Sequence, residues 1–141
     1  GGRSADRRGG FPFVELLVAM IMLGLLAALA IPAFLGTRDT ATGASAQSLL
    51  RIGATAVETA SVEPEGYASV TTADLAAAEP AVSWTTAAGA MAADDAVTVS
   101  GVSATGYTLT TVAESGVAYS LVKDLTASPA VTRTCGPGCR W

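Results

Sequence analysis

Histidine is missing from all 141 residues, and lysine occurs once, at Lys123. The first absence removes imidazole metal sites, histidine acid–base chemistry and the common Ser-His-Asp triads. The second, with a formal net charge of −4, argues against general nucleic-acid binding, which rests on clustered Lys and Arg. No direct nucleic-acid partner is therefore expected. Cysteine is scarce too, with only Cys135 and Cys139 in a closing C-G-P-G-C. Two thiols without histidine fall short of the four N/S ligands of a closed zinc site. In an oxidising compartment such a close pair favours a disulfide; free thiols and a metal are the other two states open to it. The Gly-Pro-Gly between them can turn tightly enough for a bond, whose use is to pin the C-terminal turn. Charged residues make up only 14% and aromatics 6%, and no cofactor or catalytic constellation emerges.

What the chain has instead is a long apolar run. From Leu16 to Leu35 no side chain is charged or strongly polar. At ~1.5 Å per helical residue that run covers the ~30 Å hydrocarbon of a bilayer. Glu15 stands at its front edge, and Arg3, Arg7 and Arg8 precede it. A carboxylate at membrane depth costs roughly 2.5–3.5 kcal/mol, so it needs a partner or a purpose. Residues 1–10 read as a processing segment, and their positive charge keeps that end cytoplasmic with the body facing outward. Removing their three Arg and one Asp takes the net charge from −4 to −6. Because the chain opens on Gly rather than Met, further leader residues ahead of it are compatible with this reading.

This arrangement resembles the prepilin signature of type IV pilins and their relatives, in which a leader ending in Gly is cut before a Phe and a Glu follows four residues later. Gly10, Phe11 and Glu15 match, as do the helix-softening Gly24 and Pro32. The resemblance covers about the first quarter of the chain. It implies cleavage between Gly10 and Phe11 by a separate leader peptidase and N-methylation of Phe11. It further implies pairing of Glu15 with the new amine of a neighbouring subunit, and growth of a homopolymer by a membrane assembly machinery. The family's pilus would be extracellular, serving adhesion, motility or DNA uptake. Pro12 departs from the family, which carries a small or polar residue there; proline at a helix start is structurally harmless, since that N–H has no helical partner. A softer resemblance, to pilins of Gram-positive, high-GC bacteria, lies in residues 119–124, in Thr132-Arg133-Thr134-Cys135 and in Trp141. A type II secretion pseudopilin has the same expected shape. A third reading makes Arg7-Arg8 and the apolar run a secretory signal cut at Ala28-Leu29-Ala30, releasing a small secreted domain.

The expected domains are a leader at 1–10, a membrane and filament-core helix at 11–35, and a globular body at 36–141. One helix is expected from residue 11 to about 62. Gly24 costs about 1 kcal/mol in its interior, and Pro32 removes a hydrogen bond and kinks it. In its second half Ala46, Leu49, Leu50, Gly53, Ala56, Val57 and Ala60 form a stripe of helical period, leaving Arg38, Asp39, Gln47, Arg51 and Glu58 mostly wet. Glu63-Pro64-Glu65-Gly66 stops it. A short helix follows to Ala78, with Thr72 as its cap and Asp74 in its first turn. Alternating Thr/Val-rich runs predict strands at 82–86, 96–102, 107–112 and 117–122. The expected fold class is α+β, a long N-terminal helix on an antiparallel sheet of about four strands. The acid pairs Glu63/Glu65 and Asp94/Asp95 come without the six or more oxygen ligands that calcium needs, and read as solvated loop acids. Trp84, Tyr107, Tyr119 and Trp141 read as core or rim residues, because no basic residues interleave with them.

Overall fold

A computed structural model describes residues 12–61 and 65–141. The expected α+β class holds. Helix α1, Phe13–Ala60, is followed by helix α2, Thr72–Ala78, and five strands: β1 Ser83–Thr85, β2 Ala96–Ser100, β3 Gly106–Val112, β4 Ala118–Asp124 and β5 Val131–Cys135. The chain divides into a first unit ending at Arg38 and a second, Asp39–Trp141.

In the first unit α1 runs through Gly24 and Pro32 as regular α-helix. Pro12 stands just before it, and its carbonyl accepts the amides of Glu15 at 2.9 Å and Leu16 at 3.3 Å. Pro32 has no amide to donate, so the Ala28 carbonyl lacks its usual helical partner. Every large apolar side chain from Phe13 to Leu35 is exposed, from 43% at Leu17 to 77% at Phe13.

The second unit has its own core. The predicted stripe lies on the buried face of α1: Ala46, Leu49, Leu50, Gly53, Ala56 and Val57 are buried and Ala60 is half-buried, and the structure extends the face by one turn to Gly43. Val97, Val99, Tyr107, Leu109, Tyr119 and Leu121 supply the sheet side of the core. Small residues let the helix approach closely. A Cβ on Gly43 would collide with the Tyr119 hydroxyl, and one on Gly53 would come to 3.2 Å from Leu109. Thr111, on the core face, donates to the Ala96 carbonyl at 2.8 Å, so its buried hydroxyl is satisfied.

Two expectations about the sheet need correction. Five strands lie in the order β1-β2-β3-β4-β5 rather than four, and the sheet is not wholly antiparallel, because β1 pairs parallel with β2. The fifth strand is an edge strand with an exposed middle, so the inside/outside alternation that marks a half-buried strand is faint. Its register is nonetheless full, from Tyr119 opposite Cys135 to Lys123 opposite Val131. The cap of α2 also moves by one residue. Thr71, not Thr72, accepts the Asp74 amide at 3.3 Å, and Asp74 accepts the Thr71 amide at 2.9 Å, a reciprocal capping box.

Leu50 is fully buried at the centre of the helix stripe. Leu50→Ala should destabilise the body by about 2–5 kcal/mol. Thermal melts of the full chain in detergent, followed by tryptophan fluorescence, should show Tm lowered by roughly 8 °C or more. Gly24→Ala, where an added Cβ meets no atom within 4 Å, should leave that transition in place.

Candidate functional site

Three groups of residues carry features that the core does not demand. The first is the head of α1. Gly10 and Phe11, the expected cleavage junction and methylation site, lie outside the described residues. Glu15 is exposed in the first helical turn, where the helix dipole favours a negative charge. Among the described residues it has no side-chain hydrogen bond or ion pair. Behind it the apolar surface is uninterrupted to Leu35. By length and composition this helix can cross a membrane.

The second group centres on Glu58, which the helical wheel placed in water. It is exposed, at 41%, but its partners were not foreseen: its carboxylate accepts from Tyr67 Oη at 3.0 Å and Tyr107 Oη at 3.1 Å and pairs with the Lys123 ammonium. The two tyrosine rings meet edge to face at 4.9 Å, and the Lys123 ammonium sits 5.5 Å from the Tyr67 ring centre. Burial alone would raise the Glu58 pKa, but hydrogen bonds from Lys123, Tyr67 and Tyr107 overcome it and hold the carboxylate below its ordinary range. The Lys123 ammonium is raised, first by its bond to Glu58. Burial, then the charge of Glu58, pushes the Tyr107 phenol up as well. Each shift moves its group away from neutrality, the opposite of what general acid–base work requires. The cluster is a clasp between α1, β3 and β4. Nothing in the local pattern around Glu58 signals it, because Tyr107 and Lys123 are 49 and 65 residues away.

The third group is the C-terminus. Cys135 and Cys139 form a disulfide with Cα atoms 6.1 Å apart, as one of the open readings expected. The turn between them places Gly138 at a φ of 82°, where a side chain would be strained. The stapled tail closes over the body. Trp141 stacks edge to face on Tyr119 at 5.8 Å, and its indole N–H donates to the Thr134 carbonyl at 2.6 Å. Gln47, expected to be wet, is half-buried and donates to the Arg140 carbonyl at 2.7 Å. Between α1 and this tail lies a cavity of about 590 Å³, bordered by Asp39, Gly43, Tyr119 and Arg140. Of the four aromatics read as core or rim, Tyr107 and Tyr119 are buried and Trp84 and Trp141 pack partly buried against the core. Asp94 and Asp95 are exposed loop acids, and no group of three or more metal-binding side chains occurs among the described residues.

The clasp has a defined pH window. The lowered Glu58 pKa contributes stability that is fully present above its ordinary 4.5 and is lost as pH falls through the lowered value. The raised Lys123 pKa contributes stability present below 10.5 and lost as pH rises through the raised value. Glu58→Gln should therefore cost roughly 1 kcal/mol between these limits, a figure kept small because the pair is partly solvated. The difference in urea midpoint between wild type and Glu58→Gln should shrink below pH 4. A difference unchanged from pH 3 to pH 7 would count against the ionic clasp. Compared with protein-family models, with curated proteins and with solved structures, the chain matches none.

Proposed function

We propose that this chain is a structural subunit of a type IV pilin-like filament. In this reading a precursor is inserted in the membrane by its apolar helix, cut between Gly10 and Phe11, and methylated at Phe11. It is then polymerised with other copies into an extracellular pilus. Its partners are those copies, the lipid, the leader peptidase and the assembly machinery. It performs no catalysis and uses no cofactor.

The observation that carries the reading is the exposed segment from Phe13 to Leu35, with Glu15 at its head and no other charge along it. At about 1.5–3 kcal/mol for each large side chain buried, such a surface needs lipid or protein around it. The hydrocarbon of a bilayer covers the apolar side chains but offers Glu15 no opposite charge. A neighbouring copy packed on the same segment offers both an apolar face and, after cleavage, the amine of its Phe11. Gly24 and Pro32 fit the same use. Gly24 leaves room for a close neighbour, and Pro32 leaves a local stretch with fewer helical bonds to lose. The secretory-signal reading fits less well, because Ala28-Leu29-Ala30 lies in the interior of α1 rather than at an extended cleavage site. A secretion pseudopilin would use the same head and differ only in where its filament stays.

Mass spectrometry of the mature chain should find Phe11 as the first residue, one methyl heavier than unmodified; a start at Ile31 would overturn the reading. Glu15→Ala should leave insertion and cleavage intact while sheared filaments fall by two to three powers of ten. That estimate follows from about 3–5 kcal/mol for leaving the partner amine buried and unpaired, at ~1.4 kcal/mol per tenfold. Normal filament yield from Glu15→Ala would remove the assembly role.

A further inference from the structure

The second unit carries only four cationic side chains, Arg51, Lys123, Arg133 and Arg140, against ten Asp and Glu. Three of the four, from three separate elements, line one groove. Arg51 and Ala54 come from α1, Leu121 and Lys123 from β4, and Val131 and Arg133 from β5, around a volume of about 300 Å³. Chance placement in so acidic a body would scatter these charges among carboxylates. Here the one carboxylate of the groove, Glu58, is already held by Lys123, Tyr67 and Tyr107. Arg51 and Arg133 are exposed and, among the described residues, neither has an ion-pair partner; Arg133 only overlies the Trp141 ring at 6.0 Å. Two guanidinium groups thus flank an apolar floor with their charge unanswered.

A matching feature stands at the far corner of the same sheet. Asp94 and Asp95 close a 3-10 turn that follows Met91 and enters β2, and both are exposed with no cation beside them among the described residues. The Asp95 carbonyl accepts the Ser83 amide, which fixes this turn at the starts of β1 and β2. The groove lies at β5 and at the Tyr107 end of β3, whereas the turn lies beside the Val112 end. Three strand spacings of ~4.8 Å and five residues of ~3.3 Å put the two corners roughly 20 Å apart. One copy therefore cannot bring its own acidic turn to its own groove.

We propose that the Arg51/Arg133 groove docks the Asp94-Asp95 turn of a second copy of this chain. Two carboxylates would face two guanidinium groups, and the half-buried Met91 would meet the half-buried Ala54 and Val131 of the groove. Because the two patches differ and sit at opposite corners, the contact is heterologous and leaves a free groove and a free turn at the ends of every pair. A contact of that kind propagates into rings or open filaments rather than stopping at a dimer. The proposal deepens the filament reading and rests on it for the crowding of copies that makes a weak polar contact count.

The test uses the full chain in producing cells, with a photoreactive residue in place of Thr55, an exposed residue of the groove's own lining. Irradiation should join it to a peptide containing Asp94 and Asp95 of another copy. Arg51→Glu with Arg133→Glu should lower that product at least tenfold. So should Asp94→Arg with Asp95→Asn, where Asn suits the φ of 49° at that position. The four changes together should return it to within about twofold of wild type. Should the glutamate pair unfold, as judged by Tm and the intact disulfide, Arg51→Gln with Arg133→Gln takes its place with the same direction expected. A crosslink indifferent to every charge change, or joined to another site, to lipid or to a different protein, overturns the proposal. Sheared filaments and the mature N-terminus are read from the same cells. Filaments lacking the crosslink sink the docking alone, whereas crosslinked pairs whose chains start at Ile31 sink the filament reading alone.

Discussion

The rest of the structure depends on a surface that the chain cannot bury by itself. Between Phe13 and Leu35 every large apolar side chain is exposed, and the helix supplies almost all of the backbone hydrogen bonds that hydrocarbon would require. Cover must come from outside. A bilayer provides it without preference, since the hydrophobic effect is proportional to area and has no direction. What gives this segment a direction is the single charge at its head. In the filament reading proposed above, Glu15 would fix which end lies near an interface, and an opposite charge there would fix a register.

The body solves the opposite problem, because the same helix continues with a pattern that a sheet can cover. Its inward stripe is made mostly of small residues, and the sheet answers with large ones. Gly43 lies under Tyr119, and Gly53 under Leu109 and Trp84. Bulk on the sheet side and smallness on the helix side bring the axis close to the strands, and the close fit is then locked at two ends. Near the end of α1 the Glu58 clasp ties it to β3 and β4; nearer Asp39, Gln47 and the disulfide-stapled tail tie it to β5 and Trp141. The Glu58 lock is ionic and partly exposed, so water keeps the cost of holding its charge low, whereas the tail lock rests on a neutral amide, a disulfide and an aromatic contact.

How much of this was legible in the sequence follows from how local each cause is. The helix stripe was readable because its seven positions repeat at helical spacing within one segment. Strands β2 to β4 were readable because Val97-Thr98-Val99 and Tyr107-Thr108-Leu109 alternate within themselves. β5 was not, since Val131-Thr132-Arg133-Thr134-Cys135 has an exposed middle and draws its identity from pairing with β4. The parallel pairing of β1 was hidden for the same reason, being three residues long. The Glu58 clasp was illegible because a helical wheel sees only α1, and the side chains that draw Glu58 in arrive from far along the chain. The cap at Thr71 shows the finer limit, as two adjacent threonines offer the same hydroxyl and only the backbone chooses between them.

Charge scarcity itself carries meaning here. A body with ten acids repels its own copies at long range, although screening confines that repulsion to about 8–10 Å at physiological salt. If copies are held by an apolar helix, as proposed, the attraction is strong but indifferent to rotation and sliding. Close packing would be set by whatever contacts cost least among mostly negative surfaces. In such a body each cation has a disproportionate effect, because it is one of few places where a neighbour's acid is welcome. Lys123 is consumed within the fold by Glu58, whereas Arg51 and Arg133 stay exposed beside it on the rim of the same groove. The apolar segment would thus decide whether copies associate, and the few exposed charges how they are arranged.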